Sequence, residues 1–198
     1  MKKTILSFLL AAATSFTSYA GNIIEEWSSS ISPSAPKLFE VNISASETAM
    51  LIIDIEEQRP ERNRRSKNNG KTASINHLKN KAEEAGMTVI YTVIPSYSEQ
   101  KALTSAKNSS DNIFNELQDI LSKNNIKNII IAGASDNATV LHTATAAAYT
   151  GYSVIAPIDC LTGAEEYTEQ ATIWNLDSGN RKNETVTLTK SNMITITA

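Results

Sequence analysis

At 198 residues, 41% of them apolar and 20% charged, the chain is long enough for one domain with a sizeable core and too short for two. The balance is ordinary for a soluble globular protein. A formal net charge of −3, with no basic stripe along any predicted helix, argues against a nucleic-acid partner.

Lys2 and Lys3 precede an apolar run from Ile5 to Ala13, and a polar stretch leads to Ser18-Tyr19-Ala20. This order reads as a secretory signal over residues 1–20, cleaved after Ala20, with the mature protein expected in the periplasm or secreted. The apolar run falls well short of the roughly 20 residues that span a bilayer, so no membrane association is expected once the signal is removed. Cleavage takes away two lysines and no acid, leaving 16 basic against 21 acidic residues, a net −5.

Residues 21–47 are rich in Ser and Pro, lack a sustained period and read as an N-terminal arm, with a short helix at Ile23–Trp27. The domain is expected over 48–198. It starts with Ala49-Met50-Leu51-Ile52-Ile53-Asp54, a continuous apolar run ending in an acid, as suits a central strand covered on both faces. Ile75, Leu78, Ala82 and Ala85 predict a helix over 73–85, stopped by Gly86. A strand over 87–94 follows, then a helix marked by Ile113, Leu117, Ile120 and Leu121, and a strand over 128–132 closed by Gly133. An alanine-rich helix over 136–149, a strand over 152–158, a helix over 164–176 and a strand over 185–189 complete the pattern. Strands alternating with helices of this length predict an α/β fold: a doubly wound, mostly parallel sheet flanked by helices in three layers.

In such a sheet ligands bind outside the carboxyl ends of the strands. That singles out Asp54, the turn Ala134-Ser135-Asp136 leading to Thr139, and Asp159-Cys160. A carboxylate at the mouth of a buried strand loses solvation, which raises its pKa and suits a general acid or base. A strand-end Asp54 that only caps a neighbouring loop fits the position equally well. Arg64 and Arg65, with Arg59 and Arg62, follow Asp54 and offer bidentate recognition of a carboxylate or phosphate; the alternative is a solvated charged loop. Backbone N–H groups of the 134–136 turn make an anion site at a helix start, and Ser135 or Asp136 serves equally as an N-cap. Cys160 is either a displaced nucleophile or an inert small hydrophobe. Being a single thiol, it cannot form an intramolecular disulfide. With His77 and His142 scattered from it, no metal-ligand spacing appears, and no cofactor is implied.

These segments together resemble the isochorismatase-like superfamily, the cysteine hydrolases, over most of the chain after the signal. Thr48 to Asp54 is similar to the family's first strand, which ends in its catalytic Asp. Ala132 through Val140-Leu141-His142-Thr143-Ala144 to Gly151-Tyr152 is similar to its turn and nucleophile-bearing helix, and Asp159 stands where the family has an Asp after the next strand. Trp27, the stretch 33–38, Tyr167-Thr168-Glu169-Gln170 with Trp174, and 186–194 resemble one poorly characterised branch.

The resemblance implies a catalytic set of Asp, Lys and Cys. Asp54 matches the first, the lysine position falls on Asn112, and the cysteine position falls on Thr139. A threonine hydroxyl needs an adjacent base to act as nucleophile. True isochorismatases dispense with the cysteine and cleave an enol ether by protonation from the Asp. Two readings therefore stand. One is a hydrolase of a small, anionic molecule, cleaving an enol ether or a C–N amide bond with Asp54 as proton donor. The other is a non-catalytic pseudo-hydrolase that binds a ligand or a protein. The resemblance further implies homo-oligomers associated through sheet-flanking helices.

Overall fold

The computed structural model describes residues 22–25, 27–29, 31–53, 69–92, 117–134, 139–163, 165–178 and 185–198. Residues up to Ser34 form one unit and Ala35–Ala198 a second. In the first, the Ile24 N–H donates to Asn22 Oδ1 and Trp27–Ser29 make a single 3-10 turn.

The second unit runs β1 (Val41–Ser44), β2 (Thr48–Ile53), α1 (Asn69–Glu84), β3 (Thr88–Thr92) and the helical residues 117–123 (α2). It continues with β4 (Asn128–Ala134), α3 (Leu141–Tyr149), β5 (Ser153–Pro157), β6 (Leu161–Thr162), α4 (Glu166–Ser178), β7 (Val186–Thr189) and β8 (Ile194–Thr197). Six strands make one sheet in the order β3-β2-β4-β5-β7, with β6 alongside the carboxyl half of β4. Every pairing in it is parallel.

All six residues of β2 are buried, as the unbroken apolar run requires of a strand covered on both faces. Side chains alternate across the sheet. Ala49, Leu51 and Ile53 join Ile129 and Ile131 against Leu121 of α2, Ala144 and Ala147 of α3 and Leu176 of α4. Met50 and Ile52 join Ile130 and Ala132 against Ile75, Leu78 and Ala82 of α1 and against Ile43 and Ile194. Two helical faces around one sheet are the expected three layers. Each such Leu or Ile contributes roughly 1.5–3 kcal/mol by leaving water.

Three helices end alike, which is why the next strand starts so soon after each. Gly86, Asn125 and Gly151 take positive φ. In each case that residue and its successor donate backwards to the last turn: Gly86 N–H to Glu83 O and Met87 N–H to Ala82 O, Asn125 to Ser122 and Ile126 to Leu121, Gly151 to Ala148 and Tyr152 to Ala147. This double closure satisfies carbonyls that the helix leaves open.

The stretch read as an arm contains more than its sequence suggested. Residues 41–44 form β1, which pairs in parallel with β8, Val41 opposite Ile194 and Ser44 opposite Thr197. A 3-10 turn over Ala45–Glu47 then leads straight into β2. No helix among the described residues is long and apolar enough to cross a membrane.

Candidate functional site

The sheet reverses its order between β2 and β4: the chain leaves β2 for β3 on one side and returns to β4 on the other. A reversal of this kind opens a crevice beyond the carboxyl ends of the two strands, because their connections depart to opposite faces. Ile53 ends β2 and lies opposite Gly133, near the end of β4. Gly133 has φ +143°, and a Cβ there would stand 2.1 Å from the Ile53 carbonyl oxygen. Only glycine fits. Beyond Gly133 lies Leu161 of β6, with Thr162 opposite Ala134, and the Thr162 hydroxyl donates to the Gly133 carbonyl at 3.3 Å. The floor of the crevice is thus built from backbone.

Of the residues predicted for the site, Asp54, Arg64, Arg65, Asn112, Ser135 and Asp136 lie outside the described residues. Asp54 is the next residue in the chain after Ile53. Ala134 is the final residue of β4. Thr139 is half-buried and, with the buried Val140, makes a π-type turn that runs into α3. The end of β4 and this turn are separated by four residues, which lie outside the described ones.

Asp159 and Cys160 sit in a 3-10 turn, Ile158–Cys160, that separates β5 from β6. Both carboxylate oxygens of Asp159 are taken by Ser191: one accepts its backbone N–H at 2.8 Å, the other its hydroxyl at 2.5 Å. That contact holds the 3-10 turn Ser191–Met193, which starts β8. Cys160 is fully buried on the α1 face, packed with Ile52, Ala132 and Ile155. Burial, and then the Asp159 carboxylate beside it, push its thiol well above the ordinary range, so it keeps its proton.

Two charged residues to which the sequence assigned no role stand at this end of the sheet. Lys71, in the first turn of α1, donates to the Leu161 carbonyl at 2.7 Å and pairs with Glu169 of α4 at 2.5 Å. The same Glu169 oxygen accepts the Gly163 N–H at 3.1 Å. A signal for both was present in the helical spacing. Lys71 continues the buried stripe of Ile75, Leu78 and Ala82, and Glu169 continues that of Ile173 and Leu176.

A shallow apolar cleft lies elsewhere, lined by Leu51, Leu117, Leu121, Ile129, Ala147 and Tyr152 among others. It has room for about one water molecule and sits toward the amino ends of β4 and β5, away from the crevice. Among the described residues no group of His, Cys, Asp or Glu could hold a metal ion. The buried Thr172 hydroxyl of α4 has no hydrogen-bond partner among the described residues.

The sequence matches the Isochorismatase domain family over residues 106–191. A comparison with curated protein sequences finds no match. Among solved structures, a cysteine hydrolase from Pseudomonas syringae pv. phaseolicola is similar at 15% identity and a TM-score of 0.58, over 80% of this chain and 95% of that one. The nicotinamidase of Staphylococcus aureus is similar at 16% identity and a TM-score of 0.52, over 73% and 98%. An octameric hydrolase of unknown specificity from Escherichia coli is similar at 17% identity and 0.53, over 79% and 80%. At these identities the likeness is one of fold. It agrees with the family match over residues 106–191, and the chain has the three-layer α/β fold of these hydrolases.

Proposed function

We propose that the chain is an exported isochorismatase-like hydrolase acting on a small, anionic molecule, with Asp54 as general acid. One observation carries the reading: strand order reverses where the carboxyl ends of β2 and β4 meet, at Ile53 and Gly133, and Asp54 follows Ile53 directly in the chain. A proton donated there to an enol ether generates an oxocarbenium ion that water attacks, and the C–O bond then breaks without a protein nucleophile. Arg64 and Arg65 would hold the substrate's carboxylates, and the 134–136 turn would offer backbone N–H groups to a developing negative charge. Thr139 occupies the position that resembles the family's cysteine, which favours enol-ether chemistry over amide cleavage, while Asn112 at the lysine position tells against both.

The same two replacements favour a second reading, a ligand-binding protein that has kept the crevice and lost the chemistry. The octameric hydrolase among the structural neighbours motivates a homo-oligomer in either case.

The test is turnover. The mature chain is assayed with isochorismate and with simple amides, beside Asp54→Asn. Hydrolysis of isochorismate that falls about 100-fold or more in the variant supports the first reading. Thermal stabilisation by these compounds without turnover supports the second. Export is tested separately: the N-terminal residue of protein recovered from outside the cytoplasm should be Gly21.

A further inference from the structure

α1 and α4 pack on opposite faces of the sheet, yet each places a charged residue at the crevice end of its buried stripe. Lys71 and Glu169 meet over the carboxyl edge of β6, each about a quarter exposed. Their contacts converge on three consecutive residues: Lys71 donates to the Leu161 carbonyl, Thr162 to the Gly133 carbonyl, and Gly163 to Glu169. The preceding residues are held from the other side by Asp159 and Ser191. Leu161–Thr162 is too short to hold itself in place, pairing with β4 only at Gly133 and Ala134. Polar side chains therefore do for this segment what a longer ladder does for β5.

We propose that Lys71 and Glu169 are positioning residues that clasp the 161–163 segment as a fixed wall of the crevice. The wall lies two strand spacings from the end of β2, roughly 10 Å, within the span of a small substrate. The clasp acts through backbone groups: with Leu161 O and Gly163 N–H both engaged, the segment cannot swing out, and the substrate-facing surface beside Gly133 keeps its shape. Its catalytic consequence rests on the hydrolase reading above, while the clasp itself does not.

The experiment compares wild type, Lys71→Met, Lys71→Arg and the neutral pair Lys71→Met/Glu169→Gln, which keeps an acceptor for Gly163 if the single variant folds poorly. Site-resolved hydrogen exchange should show the amides of residues 161–163 opening about tenfold faster in Lys71→Met and in the double variant, with those of β2 and β5 unchanged and Lys71→Arg close to wild type. If wild type hydrolyses isochorismate, KM should rise several-fold in Lys71→Met with kcat within about twofold, again restored by arginine. Exchange that is unchanged at 161–163, or faster throughout the sheet, overturns the clasp. Local opening with unchanged KM overturns its role in positioning. A wild type that hydrolyses nothing overturns the hydrolase reading and leaves the clasp to be judged by the exchange data.

Discussion

Ile53 and Gly133 face each other across β2 and β4 so closely that the smallest side chain on Gly133 would stand 2.1 Å from the Ile53 carbonyl oxygen. The obstacle is the backbone of β2 at Ile53, so no rotamer change relieves it. Gly133→Ala is expected to cost about 3 kcal/mol or more in urea unfolding, or to abolish folding. Ile53→Val, which trims the buried side chain and leaves that contact alone, should cost only about 0.5–1.5 kcal/mol.

Asp159 and Ser191 should behave as one unit. Ser191→Ala strips the hydroxyl donor from a half-buried carboxylate, and Asp159→Asn removes the charge that strengthens both bonds. Each is expected to cost about 1–3 kcal/mol. The double variant should cost clearly less than the sum, with a coupling of at least about 0.5 kcal/mol. Additive losses would show that the two side chains do not depend on each other.

Cys160 should be silent toward iodoacetamide at neutral pH in the folded protein and react once the chain is unfolded. The buried thiol holds its proton above the range, near pH 8.5, in which an unfolded thiol loses it. Its contribution to stability is therefore complete below about pH 8 and shrinks as pH rises, because only the unfolded state gains by ionising. From about pH 8 to pH 10 the wild type should lose about 2 kcal/mol more than Cys160→Ala in urea unfolding.

Thr172→Val should stabilise. Thr172 is 1% exposed and its hydroxyl has no partner among the described residues, so an isosteric methyl removes a desolvation cost with little change in volume. A gain of about 1 kcal/mol corresponds to a rise in Tm of roughly 2–4 °C, readable by calorimetry.

The central layer was legible because its residues carry their environment in their type. Ala49–Ile53 and Ile129–Gly133 are unbroken apolar runs, and the observed strands, Thr48–Ile53 and Asn128–Ala134, begin within a residue of their expected starts, the second running two residues past its expected end at 132. The short strands were not legible. In β1 and β8 two apolar residues alternate with polar ones over four positions, too brief a period to register, and each owes its shape to the other. β6 has only two residues and exists because the turn at Ile158–Cys160 returns the chain to β4. Near the candidate site, strand ends could be read from the apolar runs, which is how Ala134 and the Asp159-Cys160 pair were placed at or just beyond strand ends. Which groups Asp159 touches could not, since Ser191 is distant in sequence. Lys71 fell outside the expected helix over 73–85, although it continues that helix's apolar spacing, and its carbonyl partner belongs to a strand that the sequence did not announce.

The pairing of β1 with β8 bears on when the domain can fold. Val41 must wait for Ile194, some 150 residues downstream, before its strand has a neighbour, and that neighbour covers part of the α1 layer. A ribosome releasing the chain in order leaves β1 without its neighbour, and the part of the α1 layer under Ile194 uncovered, until nearly all of the domain has emerged. That layer is therefore among the last parts of the domain that can close.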